Sequence, residues 1–235
     1  MQLLQSFAAG LCLWFCGSSG PELPVRHSIP LNIPEPSDLY FAPDGQSVWI
    51  VSDKGRIYEV DRAGKTVRQK RYKGHDFEAV CLYDGKLWTA DETYRRLMAF
   101  HPADLSLAAE RQYRVPGALN EGWEALCPHP RGYGLLAVSE KDPVRAFTFS
   151  ADGELEGDQI LRGIPEVSGI CLWKGELWAV SDEERRVYRL SADFSVLGSW
   201  KIPVLNPEGI AIAPDGSLWI VSDDQHRLYQ FDLPV

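Results

Sequence analysis

The sequence has few cysteines, no run of basic residues and no hydrophobic stretch long enough to span a bilayer. Five cysteines occur among 235 residues. No CxxC pair is present, and Cys81, Cys127 and Cys171 lie too far apart for a zinc-ligand pattern. The net charge is -9, from 24 Lys and Arg against 33 Asp and Glu. Without a basic block, the chain is not expected to bind nucleic acid or an anionic membrane surface.

Several common enzyme motifs are also missing. The sequence contains no P-loop, no dinucleotide-binding glycine motif and no G-x-S-x-G nucleophile elbow. These absences exclude the commonest NTPase, dehydrogenase and serine-hydrolase sites. Any chemistry must therefore come from another arrangement of residues.

The first twenty residues differ from the rest of the chain. Residues 3–16 are almost continuously apolar and are followed by Gly17-Ser18-Ser19-Gly20. This length is too short for a membrane span and fits the apolar region of an export signal, although no Lys or Arg precedes it. We therefore predict an export signal over residues 1–20 and a single domain over 21–235. Cys16 is a candidate for lipid anchoring, and a plain cleaved signal is the alternative.

The main signal in the remaining chain is an internal repeat. A segment of the type LWIVSD, followed by a short loop and a stretch of the type RLYQFD, occurs five times about 40 residues apart. The copies are Ser47–Asp61, Lys86–Phe100, Gly134–Phe149, Glu176–Leu190 and Ser217–Asp232. A short apolar stretch and a glycine-containing turn precede each copy. This order predicts four strands per repeat, which is the pattern of a propeller blade.

Five copies predict an all-β, five-bladed β-propeller. The last copy ends near the C-terminus without a fourth strand, and Leu23–Ile33 resembles the fourth strand of the preceding repeat. We therefore expect the N-terminal strand to complete the last blade, which would leave no open sheet edge between the first and last blades. A tryptophan recurs in the second strand at Trp49, Trp88, Trp178 and Trp219 and is expected to pack between blades. Cys81, Cys127 and Cys171 share one first-strand position and are expected to be buried free thiols.

Polar residues mark one end of each predicted blade. The first strands, which line the axis of a propeller, begin with Ser37, Glu78, Glu124, Ser168 and Glu208. The second strands end with Asp53, Asp91, Glu140, Asp182 and Asp223, and each is followed by an arginine that we expect to pair with this acid as scaffold. Because the first-strand position breaks the symmetry, it is the expected ligand site.

Glu78, Glu124 and Glu208 would converge on the axis. Converging carboxylates must share protons or hold a cation, and oxygen ligands without His or Cys favour Ca²⁺ or Mg²⁺. We therefore predict a calcium site formed by these three glutamates, with Asn120 and Asn206 as further candidate ligands. The alternative is that the glutamates accept backbone hydrogen bonds in a water-filled channel. His75-Asp76 is a candidate dyad at the same mouth.

The order of the lead-in segments carries a family resemblance. The segments PSDL, FEAV, WEAL, VSGI and PEGI resemble those of the SdiA-regulated β-propeller family over about residues 25–235. Asp38, Ala79 and Ala125 stand where that family usually has glycine. The resemblance implies a five-bladed propeller with a calcium site near the axis, in an exported or membrane-associated protein, and it implies no established reaction.

These observations leave two functions open. The first is a calcium-binding propeller of the bacterial envelope, periplasmic or membrane-anchored, that acts as a monomeric binding or regulatory module for a small molecule or protein at the channel mouth. The alternative is a metal-dependent hydrolase of lactones or phosphate esters, with His75 or a glutamate as base. Related six-bladed propellers include such enzymes. This is an analogy between folds and does not establish a shared reaction.

Overall fold

Twenty antiparallel strands form five four-stranded sheets in the computed structural model, which describes residues 20–115 and 122–234. Within those two ranges the chain forms no helix, and none of it is a helix long and apolar enough to span a bilayer. The five sheets are arranged in a ring, since the innermost strand of each contacts that of the next. The predicted five-bladed β-propeller is therefore confirmed.

Each blade uses four strands that follow one another in the chain, except the last. Blade 1 consists of β2 Pro36–Phe41, β3 Ser47–Ser52, β4 Arg56–Asp61 and β5 Thr66–Arg71. Blade 2 consists of β6 Phe77–Tyr83, β7 Lys86–Asp91, β8 Arg96–Phe100 and β9 Leu107–Gln112. Blade 3 consists of β10 Ala125–Pro128, β11 Leu135–Val138, β12 Arg145–Phe149 and β13 Leu155–Ile160. Blade 4 consists of β14 Gly169–Trp173, β15 Glu176–Ser181, β16 Arg186–Leu190 and β17 Val196–Lys201. Blade 5 consists of β18 Pro207–Ile212, β19 Leu218–Ser222, β20 Arg227–Phe231 and the N-terminal strand β1 His27–Pro30.

The N-terminal strand closes the ring as the repeat predicted. Strand β1 pairs antiparallel with β20, from His27 opposite Gln230 to Pro30 opposite Arg227. Just before β1, Glu22 forms a parallel bridge with Lys201 at the end of β17. The N-terminal segment therefore contacts blade 4 before it completes blade 5, and this contact was not predicted.

Tight turns between the first and second strands follow from local sequence. Asp84-Gly85 joins β6 to β7, and Lys174-Gly175 joins β14 to β15. All four residues have positive φ angles. Two consecutive positive φ angles define the turn whose twist matches that of a hairpin, and glycine at the second position has no Cβ to oppose it.

The core lies between the blades. Trp219 of blade 5 packs with its ring 5.5 Å from that of Phe41 in blade 1, and Trp178 of blade 4 joins a buried cluster with Ile210 and Leu218 of blade 5. Trp49 packs in the same way on blade 2, and the half-buried Trp88 on blade 3. The predicted packing of the second-strand tryptophans between blades is confirmed. Cys81, Cys127 and Cys171 are buried free cysteines, also as predicted.

The repeated arginine has a different partner from the one predicted. It opens the third strand and reaches the fourth strand of its own blade, rather than the acid that ends the second strand. Its partners are Gln69 for Arg56, Glu110 for Arg96, Asp158 for Arg145, Ser199 for Arg186 and Ser28 for Arg227. Ser28 belongs to β1. The N-terminal strand therefore makes both the backbone pairing and the arginine contact that the fourth strands make in the other blades.

Candidate functional site

The first strands begin at one mouth of the central channel. In three of them an irregularity in strand pairing at this point redirects a polar side chain. Strands β2, β6 and β18 each have a bulge, and the residues left without a partner are Ser37, Glu78 and Glu208. Glu124 and Ser168 directly precede β10 and β14. A bulge leaves one residue unpaired and redirects its side chain. The predicted first-strand positions therefore do occur together at the axial mouth.

Strand pairing corrects the predicted alignment of blade 2. Asp91 lies opposite Arg96, just as Ser52 lies opposite Arg56 and Ser181 opposite Arg186. Asp91 thus takes the place of a buried serine, and the following residue, Glu92, is the equivalent of Asp53 and Asp182. The prediction that Asp91 belongs to the ring of second-strand acids was wrong by one residue, because both residues are acidic and only the pairing distinguishes them.

Blade 2 gathers three carboxylates into one group. Oxygens of Asp76, Glu78 and Glu92 all lie within 4.8 Å of one another. Thr93 Oγ1 donates to Asp76 Oδ2 at 3.0 Å, and the Gly122 N–H donates to Glu92 Oε1 at 3.2 Å. A Cβ on Gly122 would lie 2.7 Å from the Glu92 carbonyl oxygen, so this approach between blades 2 and 3 requires glycine.

Of the three glutamates predicted to form the site, Glu78 is part of this group. Glu124 adjoins it, and the neighbouring Glu92 raises the pKa of Glu124. Glu208 lies further around the ring, where Asn206 Nδ2 donates to its Oε1 at 2.9 Å. Asn120, the other amide candidate, lies outside the described residues. Asp76 was predicted only as a dyad partner of His75 and not as a metal ligand. Glu92 was missed, although the unusual ending ADE in place of VSD marks blade 2 in the sequence.

Burial and mutual repulsion oppose ionisation of these glutamates. Burial, followed by the charge of Glu124, raises the pKa of Glu78 well above its usual range. Burial and the neighbouring Glu92 raise the pKa of Glu124 in the same direction. Burial also raises the pKa of Glu208 to about 8, with smaller contributions from Asp182 and Asp223. The mouth therefore favours protons or a cation over free carboxylates.

A small cavity of about 110 Å³ lies at this mouth and is lined mainly by carboxylates. The lining residues are Glu35, Pro36, Ser37, Asp53, Glu78, Glu208 and Asp223. Burial, followed by the neighbouring Glu35 carboxylate, raises the pKa of Asp53 to about 7. Lys54 contacts Glu35 and lies 3.5 Å from Asp53, but its side chain is half exposed. Five carboxyl groups around so small a space provide oxygen ligands for a cation.

His75 pairs with Asp91 rather than with Asp76, so the predicted His75-Asp76 dyad was wrong in its partner. His75 Nδ1 contacts the carboxylate of Asp91, which is fully buried. In blades 1 and 5 the equivalent serines, Ser52 and Ser222, instead donate to backbone carbonyls. The imidazole stacks on Phe77 with ring centroids 5.5 Å apart. Blade 2 therefore places an oriented imidazole beside the group of three carboxylates.

The predicted export signal and Cys16 lie outside the described residues. The expectations about lipid anchoring, location and oligomeric state stay predictions.

Comparisons with known proteins agree with the fold. A family model described as SdiA-regulated matches residues 31–166. No functionally curated protein is significantly similar to the sequence. Among solved structures, Myxococcus xanthus glutaminyl cyclase is similar with a TM-score of 0.73 and 18% identity, covering 88% of this chain and 94% of the cyclase. Virginiamycin B lyase from Staphylococcus aureus is similar with a TM-score of 0.53 and 16% identity, covering 85% of this chain and 66% of the lyase. At these identities the likeness concerns the fold.

Proposed function

The chain belongs to the SdiA-regulated family, and from that premise and its acidic axial mouth we propose that it is a calcium-binding β-propeller. The observation that carries the proposal is the group of Asp76, Glu78 and Glu92, whose oxygens lie within 4.8 Å of one another. Glu124 extends this group toward the axis. A divalent cation would offset the repulsion that otherwise keeps these buried carboxyl groups protonated.

The donor set fits calcium better than other common metals. The group offers carboxylate oxygens, and neither histidine nor cysteine belongs to it. Hard oxygen ligands favour Ca²⁺ or Mg²⁺ over zinc or copper. Ca²⁺ accepts six to eight oxygens in loose geometry, whereas Mg²⁺ demands a near-ideal octahedron. Carboxylates from two separate blades suit the looser ion.

We further propose that the protein works in the bacterial envelope, either free in the periplasm or anchored through a lipid on Cys16. The apolar segment of residues 3–16 supports export. In this role the cation would hold the mouth in one shape, and a monomeric propeller would present that mouth to a small molecule or a protein. The family membership supports a binding or regulatory module without supplying a reaction.

Calorimetric titration of the metal-free protein with CaCl₂ and MgCl₂ tests the proposal. We expect calcium to bind more tightly than magnesium and expect Glu92→Gln to weaken calcium binding at least about tenfold, since it removes one charged ligand. Asp182→Asn is the matched control, because Asp182 occupies the position of Glu92 in blade 4. Absence of calcium binding, or equal losses in the two variants, would refute the site.

A second candidate function, hydrolysis, is favoured by one observation. His75 is held by the buried Asp91 next to the carboxylate group, which is how a general base is oriented. Calcium bound there would polarise a carbonyl or phosphoryl oxygen. The propeller fold also occurs in the cyclase and the lyase named above, but fold alone transfers no reaction.

A screen of lactones and phosphate esters with and without calcium separates the two functions. Turnover that requires calcium and is lost in His75→Gln would support a hydrolase. Calcium binding without turnover of any of these substrates would leave the binding module as the function.

A further inference from the structure

A second and larger cavity opens on the same face as the acidic mouth. It has a volume of about 290 Å³ and lies between blades 2 and 3. Arg95, at the end of the loop before β8, forms one wall, and Lys141 in the loop before β12 forms the other. Both loops join a second strand to a third strand, so they lie at the end of the propeller where the first strands begin. The volume suits a molecule about the size of an amino acid.

The walls of this cavity combine cations with aromatic surface. Arg95, Lys141 and Arg145 supply three positive charges against the two carboxylates of Glu140 and Asp142, and Trp123 and Phe147 supply apolar surface. Arg95, Trp123 and Phe147 are each more than nine-tenths buried, so the protein itself holds them in place. This contrasts with the axial mouth, where carboxylates predominate.

The burial of Arg95 distinguishes blade 2 from blade 4. Arg95 precedes the third strand of blade 2 with a φ of 48°, and Arg185 has the same place in blade 4 with a φ of 50°. Arg185 is exposed, whereas Arg95 is 8% exposed and lines the cavity. The same backbone position therefore points to solvent in one blade and contributes to an enclosed wall in another.

The existing ion pairs of Lys141 and Arg145 leave these two side chains able to bind a ligand. Lys141 Nζ lies 3.0 Å from Glu140 and 2.9 Å from Glu183, and Arg145 contacts Asp158. All of these side chains are more than a third exposed. Exposed ion pairs are weak, so a carboxylate that enters the cavity can share these cations at little cost.

We infer that this cavity is a binding site for a small organic carboxylate with an aromatic or aliphatic tail. The carboxylate would lie among Arg95, Lys141 and Arg145, and the tail would lie against Trp123 and Phe147. Guanidinium groups bind carboxylates through paired, charge-assisted hydrogen bonds. The inference goes beyond calcium binding and does not require it.

Binding of 3-phenylpropionate, followed in metal-free protein and again with calcium, tests this inference. The readout is the indole N–H resonance of Trp123 in a nuclear magnetic resonance titration, assigned with Trp123→Phe. We expect saturable shifts with 3-phenylpropionate and at least about tenfold weaker binding of the neutral 3-phenylpropionamide, because the amide cannot make charge-assisted bonds to the arginines.

Two pairs of variants locate the site. Lys141→Gln and Arg95→Gln are each expected to weaken binding of the carboxylate about tenfold. Their controls are Lys54→Gln and Arg185→Gln, which remove the same charges from the equivalent positions of blades 1 and 4. Lys141 is exposed, so its variant will fold even if that of Arg95 does not. Equal binding of acid and amide, no shift at Trp123, or equal losses in variants and controls would overturn the inference. Since binding is measured without metal, a failure here is distinguishable from a failure of the calcium site.

Discussion

At the scale of single residues, blade 2 differs from the other blades at positions of the mouth that are otherwise repeated. A buried serine occupies the end of the second strand in blades 1, 4 and 5, namely Ser52, Ser181 and Ser222. Blade 2 replaces it with Asp91 and adds His75 as its partner. The carboxylate group Asp76, Glu78 and Glu92 belongs to the same blade. The departures from symmetry thus concentrate where we place the ligand.

The substitution Glu124→Gln is expected to have opposite effects on calcium binding and on the stability of the metal-free protein. It removes a buried acidic group whose ionisation burial and neighbouring glutamates oppose, so the metal-free form should unfold at a higher temperature. It also removes a ligand charge near the cation, so calcium should bind more weakly. Thermal unfolding and calorimetry measure the two effects. A variant that lowers both the metal-free stability and the calcium affinity would contradict this account.

The stability of the metal-free protein is expected to fall as pH rises from about 5 to about 8. The pKa of Glu208 is about 8 in the fold, against an ordinary value of 4.5. Between these values the folded protein retains a proton that the unfolded chain has lost. The stabilisation is therefore complete below pH 4.5 and is lost as pH rises through the folded value. Asp53 adds to this slope in the same direction, up to its value of about 7.

Unfolding temperatures in a series of buffers, measured with chelator, check the slope. In Glu208→Gln the group no longer titrates, so its profile should be flatter than that of the wild type over this window. Saturating calcium should also flatten the profile, because the cation stabilises the ionised carboxylates. Parallel profiles for the wild type and Glu208→Gln would show that Glu208 is not the titrating group.

At the scale of strands and loops, most of the architecture could be predicted from sequence, and most of the site could not. The repeat predicted the blades, the closure by the N-terminal strand and the tryptophans between blades, because each depends on a hydrophobic period that recurs five times. The carboxylate group was only partly found. Asp76 lies in an irregular loop, and Glu92 stands next to another acid, so only strand pairing assigns it to the ring.

The partner of the repeated arginine illustrates the same limit. Arg145 follows Glu140 closely in sequence but contacts Asp158 on the neighbouring strand. The strand register decides which residues face each other across a sheet, and proximity in sequence does not reveal the register.

Removal of residues 1–30 is expected to destabilise the fold, because it deletes β1 and leaves β20 as an unpaired edge. Arg227 would lose its contacts with Ser28 at the same time. Exposed sheet edges promote aggregation. The control is removal of residues 1–19, which leaves both β1 and the bridge from Glu22 to Lys201. An equal unfolding temperature and equal solubility for the two truncated proteins would show that β1 does not close the ring.

At the scale of the whole molecule, the proposed cation adds a contact between blades 2 and 3. Asp76, Glu78 and Glu92 belong to blade 2, and Glu124 belongs to blade 3. A ligand that binds only the folded protein stabilises it by about 2.7 kcal/mol at a hundredfold excess over its Kd. Calcium should therefore raise the unfolding temperature of the wild type, and chelator should reverse the rise. The same addition should have a much smaller effect on Glu78→Gln. A similar rise in both proteins would place the stabilising ion elsewhere.

The position of the bound ion in a crystal tests the proposed calcium site directly. A terbium ion, which replaces calcium and scatters anomalously, would be introduced into crystals of the calcium-free protein. We expect one strong anomalous peak at the axial mouth, coordinated by oxygens of Asp76, Glu78 and Glu92. Peaks confined to other surfaces, with no density beside these three carboxylates, would contradict it.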